Sequence, residues 1–494
     1  MPTIISFYNF SVGQAVPDNN PVQKAEVEKP TSSKTDAKAS PQHIVVGNKL
    51  FELNSKFGEP TKDAIEEVKA EIERLSKTEP EKADNLQIVL DMFTTPTEAK
   101  KVTETQIDAV VKYLDEHYGH KESYLTTQVK KLGLNILGKF GNRIKGLEST
   151  RDKVANYIAD AIKDENEAIK KGENFTPKTL LDAYNDVRDK YACRTVFEMG
   201  DYTKAPTVAN LINEAKALKL QGKIKEASVK LHEAELKAAE LQSKDVAETI
   251  KQSILKAKEN DADLNVMRIS NYVSSDGIPI LSESQLSEIK YFAAQQGINV
   301  EFIRLASEID PSLTPEQRKE QEKKLTTKSQ PSGYTALQIN FVTKTGEVIE
   351  WQFRGELVDR FAEAEHLPYD LRTGKHPWKQ IPELEPLYKP IADLLNEDVM
   401  PKHAYKQINR YFTDYYTHLR RLELGFDSEE PKLSNYENYR AKDENGVERN
   451  FTYKFDKRLE AKNLIALHDF AEGIKDGLIT SERAVEEFNM FLRN

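Results

Sequence analysis

Apolar residues recur at spacings of three and four over long stretches of this chain and alternate with polar ones over only a few, which predicts a helix-rich protein built around a small sheet. Ile65, Val68, Ile72 and Leu75 form one stripe along residues 61–75. Helices are expected again over 104–118 and 125–140, with Gly141 and Asn142 as the break. A further helix is expected over 147–163, where Val154, Ile158 and Ile162 face inward, and another over 179–191. Residues 192–199, 264–269, 337–342 and 347–353 are rich in β-branched and aromatic side chains and read as strands. Between the first and second of these, residues 209–260 are helical in pattern, and Gly222 divides them into a helical hairpin. Residues 315–333 read as a charged linker. The last hundred residues return to helix and read as a separate helical module, with a polar stretch over 427–450. Mixed strands and helices imply an α/β or α+β core.

Composition narrows the options. Residues 11–42 offer almost nothing apolar, so 1–45 is expected to be a disordered leader. The formal net charge of −10 argues against a surface that binds nucleic acid throughout, while leaving room for a local basic cleft. One cysteine, Cys193, excludes an internal disulfide and any multi-cysteine metal site. No stretch approaches the roughly 18 to 20 apolar residues of a membrane helix, and a cytoplasmic location is expected.

Four segments carry candidate chemistry. Arg143 and Lys145 precede a helix on which Ser149 and Lys153, four apart, share a face. Cations and a hydroxyl at a helix start form a phosphate grip. Asp189 stands just before a strand and Arg194 within it, a usual placing for a carboxylate that binds Mg2+. Gly333 permits a close approach beside Tyr334, whose ring can stack on a base. In the fourth segment, alternation sends Ile349, Trp351 and Phe353 to one face and Glu350, Gln352 and Arg354 to the other. That second face would form a polar floor on which Glu350 could bind metal or accept a proton. His468-Asp469 reads as a helix surface pair, since two adjacent residues cannot build a metal site.

In this order the segments resemble the synthetase domain of the RelA/SpoT alarmone family. Its Arg-x-Lys-x-x-x-Ser-x-x-x-Lys pattern matches Arg143, Lys145, Ser149 and Lys153, and its Asp-x-x-(Gly/Ala)-x-Arg pattern matches Asp189, Ala192 and Arg194. Its Glu-x-Gln-x-Arg strand matches Glu350, Gln352 and Arg354, and the helix after that strand matches Ala362, Glu363, His366 and Tyr369. Around Tyr334 the chain departs: Gln330, Ala336 and Gln338 stand where the family has lysine, serine and histidine, and Gly355 replaces a threonine.

The resemblance implies a mixed-sheet, nucleotidyltransferase-like core over 135–375, with the hairpin over about 206–260 inserted. Helical regions over 46–134 and 376–494 would flank it. It also implies transfer of pyrophosphate from ATP to the 3′-hydroxyl of GDP or GTP. Arg143, Lys145, Ser149 and Lys153 would bind ATP, and Asp189 and Glu350 would bind Mg2+ and catalyse. Tyr334, Gln338, Gln352, Arg354 and Arg194 would bind the acceptor. The 3′ end of tRNA is an alternative acceptor, and an inert nucleotide-binding or interaction protein is an alternative role.

Overall fold

A computed structural model of the chain describes residues 62–114, 139–144, 147–187, 191–197, 200–260, 264–273, 278–343, 348–442 and 446–493. The expected leader over 1–45, most of the helix expected over 125–140, and the side chains of Lys145 and Asp189 lie outside the described residues. Among these, the residues within Met1–Glu122 and Ile144–Lys190 form one compact unit, and those within Ser123–Arg143, Tyr191–Lys344 and Val348–Asn494 a second.

The first unit is helical: α1 (Lys62–Thr78), α2 (Pro80–Thr94), α3 (Glu104–Leu114), α4 (Leu147–Lys171) and α5 (Leu180–Asp186). The expected stripe on α4 holds, with Val154 and Ile158 buried and Ile162 half-buried. Helix α5 starts on a capping box in which Thr179 accepts from the Asp182 amide and Asp182 accepts from the Thr179 amide.

The second unit is a mixed α/β structure. Its strands are β1 (Lys139–Ile144, the last residue belonging to the first unit), β2 (Tyr191–Phe197), β3 (Leu264–Val273), β4 (Thr327–Ser329), β5 (Ala336–Thr343) and β6 (Val348–Gly355), in the order β1-β2-β6-β5-β3-β4. β2 runs parallel to β6, β6 antiparallel to β5, β5 antiparallel to β3, and β3 parallel to β4. Register sorts the sheet into two unlike faces. One carries the rows Cys193, Trp351, Ile339, Ile269 and Thr195, Phe353, Leu337, Asn271, all buried. The polar members of these rows are satisfied: Trp351 Nε1 donates to Thr195 Oγ1 at 2.9 Å, and Asn271 Nδ2 donates to the Leu281 carbonyl at 2.7 Å. The opposite face carries Ala192, Glu350, Asn340, Arg268 in one row and Arg194, Gln352, Gln338, Ser270 in the next.

Helices α6 (Pro206–Leu220) and α7 (Ile224–Glu259) form the expected hairpin, which turns at Gly222 with φ of 75°. Then come α8 (Glu283–Gln295), α9 (Pro315–Glu322), α10 (Glu356–Arg372), α11 (Glu385–Leu395), α12 (Lys402–Glu423), α13 (Ala461–Lys475) and α14 (Ser481–Arg493). One apolar core joins α10 to α14, from Val358 and Phe361 through Tyr416 to Leu467 and Phe488. The C-terminal helices therefore share a core with the helix that follows the sheet, instead of standing apart as the module expected from sequence.

Three local expectations are corrected. Gly141 and Asn142 lie inside β1, an edge strand, where glycine and a polar residue are tolerated. The linker over 315–333 contains α9, begun by a capping box of Thr314 and Gln317 with Pro315 at the first position, and then β4. The polar stretch over 427–450 contains the hairpin of β7 (Asn438–Lys442) and β8 (Glu448–Thr452). Among the described residues no helix is long and apolar enough to cross a membrane.

Candidate functional site

The polar face of the sheet gathers five of the expected site residues in one place. Arg194 on β2 lies level with Gln352 on β6 and Gln338 on β5, while Glu350 and Arg354 stand two residues to either side of Gln352. Helix α10 begins directly after β6 and turns Asp359 and Glu363, four apart and therefore on one face, back over this row. Arg354 Nη1 donates to Asp359 at 3.2 Å and to Glu363 at 2.9 Å, and Arg194 pairs with the same two carboxylates at 3.1 and 2.7 Å. Arg354 Nη2 donates to the Tyr334 hydroxyl at 2.6 Å and to Gln352 Oε1 at 3.0 Å. The Gln352 amide in turn donates to Glu350 Oε1. Two guanidinium groups and two carboxylates are thus interlaced, and a phenol, an amide and a third carboxylate hang from them.

The two arginines and the Asp359 and Glu363 carboxylates survive burial because each has an opposite charge at hydrogen-bond distance. Arg354 is 1% exposed and an arginine cannot shed its proton to escape. Burial raises the Glu363 carboxyl, but Arg194 and Arg354 outweigh it and hold Glu363 far below the usual carboxylate range. Asp359 is deeper: burial pushes it up more than the same arginines pull it down. Burial also raises the Tyr334 hydroxyl. That hydroxyl stays protonated and accepts from Arg354, so its own hydrogen can be donated to a ligand oxygen.

The Tyr334 ring lies in an aromatic group, 5.7 Å from Tyr272, 6.4 Å from His366 and 6.2 Å edge-on from Tyr416, with the Arg354 guanidinium 5.1 Å from its centre. Lys328 is on β4 with its Nζ 5.2 Å from the Tyr272 ring. Gly333 takes φ of +74° and packs against Thr413 of α12. His366 and Tyr369 lie exposed on α10.

Ser149, exposed, and Lys153, half-buried, sit on α4 in the first unit. The backbone of Arg143 ends its unit's part of β1, beside β2. Lys145 and Asp189 lie outside the described residues. His468 is half-buried and burial lowers its pKa, while Asp469 is exposed and pairs with Arg360 at 2.6 Å.

Sequence reasoning missed Asp359, whose spacing of four from Glu363 was the available signal, and Asn340, which register sets opposite Glu350. Asn340 is 6% exposed, and its Nδ2 is buried without a hydrogen-bond partner among the described residues. Among the described residues no group of three or more His, Cys, Asp or Glu side chains gathers to hold a metal ion. Asp359 and Glu363 are taken by arginines, whereas Glu350, 7% exposed, has no ion pair among the described residues. One hard carboxylate oxygen of this kind suits Mg2+ when phosphate oxygens complete the shell. Compared with protein-family models, with curated proteins and with solved structures, the chain finds no match.

Proposed function

We propose that the second unit is a nucleotidyltransferase-like core that moves a pyrophosphoryl group from ATP to the 3′-hydroxyl of GDP or GTP. The observation that carries this reading is the row of Arg194, Glu350, Gln352 and Arg354 on one sheet face, with the Tyr334 hydroxyl tied to Arg354. The acceptor oxygen bonds to the β-phosphorus of ATP as the bond from that phosphorus to the AMP oxygen breaks. AMP leaves, and Glu350 takes the hydroxyl proton. Tyr334 stacks on the acceptor base and donates its hydroxyl hydrogen to the acceptor's phosphates. Arg194, the more exposed guanidinium, meets phosphate, while Arg354 holds Tyr334 and Gln352 in place. Glu350 would hold Mg2+, which would neutralise phosphate charge; the sequence resemblance alone assigns Asp189 to the metal and Arg143, Lys145, Ser149 and Lys153 to the ATP phosphates.

The test is incubation with labelled ATP, Mg2+ and GDP or GTP, following AMP and the pyrophosphorylated product together. Stoichiometric formation of both is expected, reduced at least about a hundredfold in E350Q, as for loss of a general base. Transfer no greater than in E350Q would sink the proposal. A second reading draws on the pairing of both arginines with the protein's own carboxylates: a site that binds nucleotide without turnover, which would show saturable binding and no AMP.

A further inference from the structure

Position 355 holds glycine where the resemblance expects threonine, and the structure gives a physical reason. A Cβ on Gly355 would lie 2.1 Å from the Glu423 carboxylate. Glu423 is the last residue of α12 and is 0% exposed. Its Oε1 accepts from the Val358 amide at 2.9 Å, and the Leu357 amide also bonds to the carboxylate. Gly355 is the N-cap of α10 and has no side chain to cap it. Burial raises the Glu423 carboxyl, and Arg420 and the two amides pull against that rise, so Glu423 supplies from another helix the carboxylate that satisfies the free amides at the start of α10.

One turn before it, Arg420, also 0% exposed, donates to Glu423 Oε2 at 2.9 Å and to Gln242 Oε1 at 2.7 Å. Gln242 is 1% exposed in the middle of α7. A continuous set of buried hydrogen bonds thus runs from the hairpin helix to the first turn of α10. The first two turns of α10 carry Asp359 and Glu363, the carboxylates that fix Arg194 and Arg354.

We infer that Glu423 is a positioning residue for the arginine and carboxylate network on the sheet, and that α7 reaches that network through Gln242 and Arg420. A self-capping residue at 355 would fix the start of α10 locally. Glycine hands that task to Glu423, so the position of α10 depends on α12 and, through Arg420, on α7. Its consequence for catalysis rests on the proposed function; its structural content does not.

The test is hydrogen exchange, read by mass spectrometry on the full chain, for E423Q, R420M/E423Q and Q242L. Replacing the carboxylate weakens a charge-assisted bond to each amide, so E423Q should speed exchange over 356–366 about tenfold or more, with β2 following. Helix α13 should keep the native rate. R420M/E423Q removes both buried charges together, which such cores tolerate, and decides the matter if E423Q alone does not fold. Unchanged exchange over 356–366, or equal acceleration throughout the chain, would overturn the role of Glu423. Native exchange over 356–366 in Q242L would overturn the link to α7. If wild-type protein makes the pyrophosphorylated product, E423Q should lower kcat with KM for ATP little changed. If it makes none, the functional proposal fails and the exchange pattern still decides this inference.

Discussion

Glu363 shows how the network trades one group against another. Burial opposes its charge, and two arginines at hydrogen-bond distance more than restore it, so its folded pKa lies below its unfolded one. A depressed carboxyl stabilises the fold fully above the unfolded value, about 4.3, and progressively less as pH falls from there toward the folded value. Urea unfolding followed between pH 6 and pH 3 should therefore show a steep loss for the native chain and a shallower one for E363Q. Equal acid slopes for the two would mean that Glu363 is not held as its geometry implies. Asp359 works in the opposite sense, because its raised pKa makes its charge a cost above that value. E363Q isolates the partner whose sign is favourable. Of these residues, Glu350, Gln352 and Arg354 were legible from alternation within one strand. Asp359 stands four residues before Glu363, but that spacing does not reveal its arginine partners, which come from the end of β6 and from β2.

At the scale of elements, the turn before β5 sets the position of Tyr334. Gly333 combines a left-handed backbone with a neighbour so near that an added Cβ would lie 2.4 Å from Thr413 Cα. Since that neighbour is backbone, it cannot swing aside. G333A should cost roughly 1–3 kcal/mol of unfolding free energy and release the Tyr334 ring from Tyr272 and Tyr416. Denaturant melts, together with the near-ultraviolet dichroism of the tyrosines, check both effects, and a variant that keeps native stability and spectrum would refute the assignment. The glycine and the aromatic residue after it could be read in the sequence, but not the helix against which they press. The same limit explains the misread elements. Gly141 and Asn142 break a helical pattern and equally suit an edge strand, and only pairing with β2 separates the two. The capping box at Thr314 was readable in principle, but the density of charged residues from Glu316 to Lys324 disguised the helix as linker.

Across the molecule, the sheet is assembled from segments far apart in the chain. β2 pairs with β6 after the hairpin, β3, α8 and α9 have intervened, so strand order was beyond periodicity even where the strands were not. The hairpin itself divides into two parts with different duties. Toward Gly222 its large apolar residues are bare, Leu220 being 91% exposed and Ile224 and Val229 58%, and only the small side chain of Ala227 is buried between them. Farther along α7, Ala234, Ala238, Ala247, Ile250, Ile254 and Ala257 are all 0% exposed, and Val208, Ala234 and Ala238 share an apolar cluster with Leu424 and Phe426 just beyond α12. The inner part is thus scaffold, because it buries alanines closely and receives Arg420 at Gln242. The outer part contributes little burial and can be shortened. Replacing residues 217–228 with a short glycine and serine turn should change stability by under about 1 kcal/mol, a shift of roughly 2–4 °C in Tm. Removing 206–259 altogether strips the wall from that cluster and leaves the Arg420 and Glu423 pair without Gln242, so the cooperative melt of the second unit should be lost. Calorimetry on the two deletions separates the cases. A large loss from the short deletion would show that the exposed tip bears on stability after all, and a preserved melt after the long one would show that the sheet and C-terminal helices need no hairpin.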